Sequence, residues 1–344
     1  MKEIALCSFY SVAKLVLVVL AGVWLGRRGI LDKAGRQSLS RLIMTLFLPC
    51  LLVDSLSRNA NLDNLCKWGA MALAAPVFCA AGFLLGHLCA RLLKVPRSQH
   101  RYIAVSNSFG NSSFLPMPLL ATICAVAPAA LLGEPGADQR SFAYISIYLT
   151  VHSPLIWLFA YPYMTGVPLR ELGWRRLLNP PLFGSLLGIL IGTVPWLNRL
   201  MVPSDAPLHI VIDACRMTSP AVFPCALIVL GANLAEKLPS GEQLPLRSYG
   251  ALALGRLVLM PVFGMLYTTL VFWLGWMPHD PVFLLVMMIE ASVPTATNLV
   301  LIAQVLHKGE VLMSRLLLAS YCLCIVTLTL EIIFFLYAIQ HWFF

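Results

Sequence analysis

Two polar stretches interrupt otherwise apolar parts of the chain, and they contain the residues best suited to bind a ligand. The first runs from Asn107 to Pro118 and the second from Glu290 to Asn298. Prolines in these stretches remove helical hydrogen bonds, and at membrane depth the freed backbone groups need partners in the protein or in a water-lined cavity. The alternative is an ordinary proline kink, in which Ser and Thr bond to their own helix. Because two such stretches occur, ligand binding is the favoured interpretation.

An anion is the ligand that these stretches suit. Half-helix N-termini carry partial positive charge, and Asn, Ser and Thr side chains add neutral hydrogen-bond donors. Neither stretch contains Lys or Arg, so the sequence predicts that helix dipoles and neutral donors hold the anion. The candidate binding residues are Asn107, Asn111, Ser112, Pro118, Pro294, Thr295, Thr297 and Asn298.

Three ionisable residues lie near the middle of apolar segments, namely Arg256, Glu290 and His152. Charged groups inside a membrane are costly, so each is a functional candidate by default. Glu290 precedes Pro294 by one helical turn and is either a proton carrier or the structural ion-pair partner of Arg256, which is the favoured interpretation. For His152, packing is favoured over a role as a proton relay.

The composition indicates what kind of scaffold positions these groups. Of the 344 residues, 59% are hydrophobic and only 11% are charged, whereas soluble domains carry about 25% charged residues. A soluble, disordered or collagen-like protein is therefore excluded. The chain contains ten apolar stretches, each long enough to cross a bilayer: 4–25, 38–56, 67–90, 102–127, 141–164, 181–199, 207–235, 248–275, 281–306 and 310–340. The sequence predicts an all-α polytopic membrane protein with ten transmembrane helices.

The two halves of the chain repeat each other. Pro49-Cys50 in span two and Pro224-Cys225 in span seven are 175 positions apart, while Pro118 in span four and Pro294 in span nine are 176 apart. Each half holds five spans, an odd number, so the second half is inverted relative to the first. We therefore expect two inverted five-helix repeats, residues 1–165 and 166–344, in which spans four and nine are the broken helices. Inverted repeats with broken helices are typical of secondary transporters.

Basic residues predict the orientation in the membrane. Fourteen Lys and Arg residues follow the odd-numbered spans, against five on the opposite side, so both termini should be non-cytosolic. The net charge is +9, but the basic residues lie between the apolar spans rather than along one soluble face. Nucleic-acid binding is therefore not expected. Glycine ladders beginning at Gly22 and Gly184 suit close helix packing within the chain, which is favoured over a homodimer seam.

No sequence motif indicates catalysis. The chain has no nucleotide-binding loop, no metalloprotease or hydrolase motif and no cluster of acidic residues suited to a divalent metal. Its ten cysteines form no CxxC motif and are expected to be free. We therefore expect no enzyme activity, no cofactor and no metal, and a lipid bilayer and a small organic acid as partners.

With these features, the chain resembles the auxin efflux carrier family and, within it, the PIN-LIKES branch. The similarity is spread over nearly the whole chain and rests on these segments: Leu39-Ser40, Phe47 to Cys50, Gly110-Asn111, Leu115-Pro116, Ala143 to Ser146, Trp157, Asn179 to Pro181, Ala206 to Leu208, Leu230 to Leu234, Gly255-Arg256, Pro261, Pro294 to Asn298 and Gln304.

The resemblance implies a scaffold part and a mobile transport part, with a substrate site where helices four and nine cross. It further implies uniport or proton-linked movement of a small organic acid such as indole-3-acetate, and a place in the endoplasmic reticulum membrane rather than the plasma membrane. Two alternatives stay open: a transporter-like sensor of a lipid or sterol, and a sodium-coupled organic-anion symporter.

Overall fold

The computed structural model describes residues 2–127, 132, 136–166, 179–235, 244–305 and 309–343. Every regular element in these ranges is a helix. Most of the connection between Thr165 and Asn179, predicted as the longest charged loop, lies outside the described residues, as do Lys237 and Lys308 of the orientation count.

Within the described residues, the first half of the chain contains nine α-helices: α1 (Lys2–Arg27), α2 (Lys33–Leu42), α3 (Leu48–Asn59), α4 (Leu62–Lys67), α5 (Gly69–Leu92), α6 (His100–Ser108), α7 (Pro116–Val126), α8 (Ala137–Leu155) and α9 (Tyr161–Thr165). The described part of the second half contains nine more: α10 (Pro180–Thr193), α11 (Pro195–Met201), α12 (His209–Thr218), α13 (Val222–Leu234), α14 (Leu246–Leu254), α15 (Met260–Trp273), α16 (Pro281–Ser292), α17 (Asn298–Val305) and α18 (Glu310–Ala338).

By length and composition, seven continuous helices among the described residues can cross a membrane. They are Lys2–Arg27, Lys33–Asn59, Asp63–Leu92, Ala137–Met164, His209–Leu234, Leu246–Trp273 and Val311–Phe343. The chain is thus an all-helical, polytopic membrane protein. The other three predicted spans are not continuous. Helices α10 and α11 meet at 102°, because Pro195 begins a new helix, and the predicted spans four and nine are each split in two.

Several long spans pass through a π-helical turn shortly before a proline. These turns are Ile43–Phe47 before Pro49, Ile156–Ala160 before Pro162, and Gly255–Leu259 before Pro261. Proline lacks an N–H and its ring clashes with the carbonyl four residues earlier. A wider π turn accommodates that clash without ending the helix.

Glycines bring two pairs of helices into backbone contact. Helix α1 packs on α13, where a Cβ at Gly22 would lie 2.3 Å from the Ile228 carbonyl oxygen. Helix α10 packs on α3, where a Cβ at Gly188 would lie 2.9 Å from the Leu52 carbonyl oxygen. Both ladders therefore serve packing within the chain, as the sequence favoured.

Helix α16 lies at the centre of the molecule. Every residue from Val282 to Ser292 is buried, and the helix packs on α5, α7, α8, α15 and α18. Asp280 caps its start by accepting the Val282 N–H over 2.9 Å. The same carboxylate accepts hydrogen bonds from Arg140 (3.1 Å) and the Tyr144 hydroxyl (2.7 Å), which ties the start of α16 to α8.

Candidate functional site

Both polar stretches lie where a helix is interrupted. Helix α6 ends at Ser108 and α7 begins at Pro116, while α16 ends at Ser292 and α17 begins at Asn298. The sequence therefore located both interruptions. The backbone groups freed by the two breaks determine what the region between them can bind, because a buried N–H or carbonyl without a partner is costly in a membrane.

The two interruptions cross and pair with each other. Gly110 and Thr295 form an isolated antiparallel β-bridge. The N–H of Asn111 donates to the Pro294 carbonyl over 2.8 Å, and the N–H of Ala296 donates to the Phe109 carbonyl over 2.9 Å. The region around this bridge, residues 106–115 and 292–298, is called the crossing below.

Pro118 does not produce the first interruption, contrary to the sequence prediction. The break comes earlier, and Pro118 is the third residue of α7. The first turn of a helix has no intrahelical partners for its N–H groups, so proline is tolerated there. Pro116 and Pro118 together leave few N–H groups at the start of α7, which weakens this helix end as an anion site. Pro294 lies within the second interruption, as predicted.

Arg256 reaches the crossing from the π-helical turn between α14 and α15. Its side chain is fully buried. Nε donates to the Val293 carbonyl over 2.7 Å and Nη1 donates to the Asn107 carbonyl over 3.0 Å. A Cβ at Gly110 would overlap Nη2, so glycine is required there. The crossing therefore contains a fixed positive charge, and the prediction that only dipoles and neutral donors serve this region is corrected.

Arg256 and Glu290 do not form the direct ion pair that the sequence favoured. The guanidinium is turned to backbone carbonyls at both helix breaks, and within the described residues neither carboxylate oxygen of Glu290 has a hydrogen-bond partner. Glu290 is buried in the last turn of α16, where Ser112 and Arg256 act on its carboxylate. The two groups thus interact through space rather than through contact.

Two of the predicted binding residues use their amides within the protein. Asn107 donates to the Ile103 carbonyl of its own helix over 2.8 Å, and its Oδ1 has no partner. Asn111 donates to the Tyr321 hydroxyl and accepts the Phe114 N–H over 3.2 Å. Both side chains are buried. Asn111 therefore fixes the crossing to α18.

The other polar candidates for the binding site differ in how far their side chains are buried. The Thr295 hydroxyl is buried and donates to the Ser106 carbonyl over 3.1 Å, and Ser112 contacts the Gly110 carbonyl at 3.4 Å. Thr297 and Asn298 are only partly buried, and their side chains make no hydrogen bond within the described chain. Asn298 begins α17 and Thr297 directly precedes it, so their donors lie beside the positive end of a helix.

His152 packs against aromatic rings beside the first interruption. It stacks on Tyr148 with ring centroids 5.2 Å apart and lies 5.7 Å from the ring of Phe109. Its Nε2 has no hydrogen-bond partner. This environment agrees with the favoured packing role, while a role in coupling stays a prediction.

The structure adds residues that the sequence did not indicate. The Tyr321 hydroxyl anchors Asn111, and the backbone carbonyl of Ser106 accepts from the Thr295 hydroxyl. A tyrosine within an apolar helix gives no signal that distinguishes it from packing, and a backbone carbonyl is present at every residue. Among the described residues, no group of three His, Cys, Asp or Glu side chains is placed to hold a metal ion.

The chain is similar to known proteins along most of its length. The model of a family described as "Membrane transport protein" matches residues 7–172 and 162–332. The chain is 25% identical to Protein PIN-LIKES 5 of Arabidopsis thaliana, covering 88% of this chain and 89% of that protein. It is 22% identical to Protein PIN-LIKES 7 of the same plant, covering 92% and 94%. An uncharacterized transporter of Saccharomyces cerevisiae is 20% identical, covering 93% and 92%.

Proposed function

This chain belongs to the membrane transport protein family, with PIN-LIKES proteins as relatives along most of its length, and we propose that it is a secondary carrier for a small organic anion. The observation that carries the proposal is the pairing of two interrupted helices, Gly110 against Thr295, inside the membrane-spanning part of the chain. Carriers place substrates between such half-helices and expose them alternately to the two sides of the membrane.

The charges at the crossing support an anionic substrate. Arg256 supplies a buried positive charge at both helix breaks. Each of the carbonyls to which it donates, those of Asn107 and Val293, is one residue away from the last residue of a half-helix. Thr297 and Asn298 supply donors at the start of α17 that make no hydrogen bond with the described residues. A helix N-terminus contributes about 0.3–1 kcal/mol to binding an exposed anion and up to about 2 kcal/mol when partly buried. These contributions suit a carrier, which must also release its substrate. An auxin-like aromatic carboxylate is the substrate class we propose.

We further propose that the chain crosses the membrane ten times, as inverted repeats of residues 1–165 and 166–344. These ten crossings are the seven long helices, the bent pair α10–α11 counted as one span, and the two interrupted helices counted as one span each. The glycine contacts support the repeat. Gly188 packs on Val53 and Gly22 packs on Ile228, and Val53 and Ile228 are related by the same 175-residue offset as the two Pro-Cys pairs.

The orientation and the membrane remain part of the proposal. The excess of basic residues after odd-numbered spans supports non-cytosolic termini, and the resemblance to PIN-LIKES proteins favours the endoplasmic reticulum membrane. Protease added to the cytosolic face of sealed vesicles should cleave between residues 165 and 179, and cleavage only from the opposite face would reverse the orientation. A homodimer stays a prediction, which the mass of the detergent-solubilised protein tests.

The carrier proposal is tested with purified protein in liposomes. Uptake of a labelled aromatic carboxylate is compared with uptake of the corresponding neutral amide. Thr297→Val and Asn298→Ala should each lower the affinity for the acid about tenfold or more, because a hydrogen bond to a charged group contributes about 1.5–3 kcal/mol. Thr269→Val is the matched control, since the Thr269 hydroxyl donates to the Met265 carbonyl of its own helix over 2.8 Å.

Two results would contradict the proposal. Equal affinity for acid and amide would remove the anion preference, and unchanged affinity in both variants would remove the site. Accumulation of many substrate molecules per protein distinguishes a carrier from a sensor, which binds its ligand without turnover.

A further inference from the structure

Arg256 makes hydrogen bonds that are not those of a simple ion pair. Its two donors reach Asn107, in the last turn of α6, and Val293, the C-terminal cap of α16. The last carbonyls of a helix have no partner within that helix, and they form the negative end of its dipole. The guanidinium therefore caps the C-terminal ends of both half-helices at once.

Neighbouring residues are shaped to admit this side chain. A Cβ at Gly110 would overlap Arg256 Nη2, so this glycine leaves room for the guanidinium, whereas Gly255 leaves room for Asn107, whose Oδ1 a Cβ there would overlap. The π-helical turn of Gly255–Leu259 before Pro261 places Arg256 at this point. Glu290 and Glu331 are its acidic electrostatic neighbours, but neither is bonded to it.

The position that Arg256 occupies is one that suits a small cation. In carriers with broken helices, unwound backbone carbonyls and half-helix C-terminal ends coordinate the coupling ion. Here carbonyls of that kind from both half-helices are already bonded to a guanidinium. An arginine side chain keeps its charge under all physiological conditions, so this positive charge neither dissociates nor depends on an ion gradient.

We propose that Arg256 is an internal cation that takes the place of a dissociable coupling cation. Its guanidinium caps both half-helices permanently, and its charge favours the binding of anions at the crossing. Transport then proceeds without sodium binding between the half-helices. This inference rests on the proposed function only where transport is measured. The capping role is tested by the stability of the purified protein, without any substrate.

The test removes the guanidinium and supplies it from solution. In detergent, Arg256→Ala should have a lower unfolding temperature than the parent, and low-millimolar guanidinium chloride should restore it saturably. Equal concentrations of choline chloride or urea should not. Arg36→Ala is the control, because Arg36 also donates to a backbone carbonyl on another helix, that of Ala232 (3.3 Å), but outside the crossing, and it should show no such rescue. Arg256→Lys, which keeps the charge, should retain more stability than Arg256→Gln.

Ion replacement provides the second readout, and it does not depend on whether Arg256→Ala folds. Replacing sodium by choline should leave the stability of the parent and its uptake of a labelled aromatic carboxylate unchanged. Affinity for that carboxylate should fall about tenfold or more in Arg256→Gln, a loss equivalent to at least about 1.4 kcal/mol.

The outcomes separate the two proposals. Saturable stimulation of the parent by sodium, or an Arg256→Ala variant as stable as the parent, would overturn the internal-cation inference while leaving a carrier intact. Failure of guanidinium to stabilise a folded Arg256→Ala variant would also overturn it. Guanidinium rescue in a protein that takes up no organic anion would support the capping role and contradict the proposed function instead.

Discussion

Gly110→Ala tests whether the crossing is held together by the guanidinium of Arg256. The φ angle of Gly110 is not positive, so alanine is compatible with the backbone and only space opposes it. The added methyl group would overlap Arg256 Nη2 and lie 2.8 Å from Val293 Cγ2. The guanidinium must therefore move away from at least one of its two carbonyl partners.

The expected loss in the free energy of unfolding combines two costs. Overpacking a buried site costs about 1–3 kcal/mol, and a buried charge that loses its partner costs about 3–5 kcal/mol. Because Arg256 keeps some of its contacts, we expect Gly110→Ala to lower the free energy of unfolding by about 3 kcal/mol. In an Arg256→Ala background only the overlap with Val293 remains, so the same change should cost about 1 kcal/mol.

A double-mutant cycle measures the difference between these two values. Unfolding of the four proteins in mixed detergent micelles should give an interaction energy of about 2 kcal/mol between Gly110 and Arg256. Gly69→Ala is the control, because no atom lies within 4 Å of a Cβ at Gly69. It should leave stability unchanged or raise it by about 0.5–1 kcal/mol. Additive effects, or a Gly110→Ala variant as stable as the parent, would refute the reasoning.

Three further predictions concern other contacts, each measured as the free energy of unfolding in detergent. Tyr321→Phe should cost about 0.5–1.5 kcal/mol, because Asn111 then loses its acceptor; an unchanged value would mean that this hydrogen bond contributes nothing. Gly188→Val should cost at least about 3 kcal/mol, since its side chain would meet the backbone at Leu52; a well-folded variant would exclude that close contact. Asp280→Asn should cost about 1–3 kcal/mol through its charged hydrogen bonds, and an unchanged value would mean that these bonds contribute nothing to stability.

The helical class and both interruptions could be predicted because they depend on local signals. Apolar length marks a membrane helix, and Asn, Ser and Pro in the middle of one indicate that the helix is interrupted. The exact point of the first break could not be predicted, because Pro116 and Pro118 both fit the first turn of the following helix. The bend between α10 and α11 was not predicted, because Thr193 is the one polar residue directly before Val194-Pro195 and a lone proline in an apolar run is equally compatible with a kink.

The contacts of Arg256 could not be predicted from the sequence. Its partners lie 149 and 37 positions away, and they are backbone carbonyls, which every residue possesses. An intramembrane arginine suggests a carboxylate partner, and Glu290 is the nearest candidate on the following helix. In the structure the guanidinium instead bonds to carbonyls at the two helix breaks. This arrangement depends on how the ends of α6 and α16 pack against the π-helical turn that carries Arg256, which the sequence does not reveal.

The contacts around the crossing divide the helices into two groups. Hydrogen bonds join α6, α16 and the start of α15 through Arg256, and α18 through Asn111. Close contacts of glycines with the neighbouring backbone join α1 to α13 and α3 to α10. The first group shares hydrogen bonds whose separation inside a membrane would leave polar groups unpaired, so its members are expected to move together. In the inverted repeat that we propose, the helices of the second group are counterparts of one another, spans one and two with six and seven. This division favours a transport part built around the crossing, moving against a scaffold that glycine packing keeps rigid.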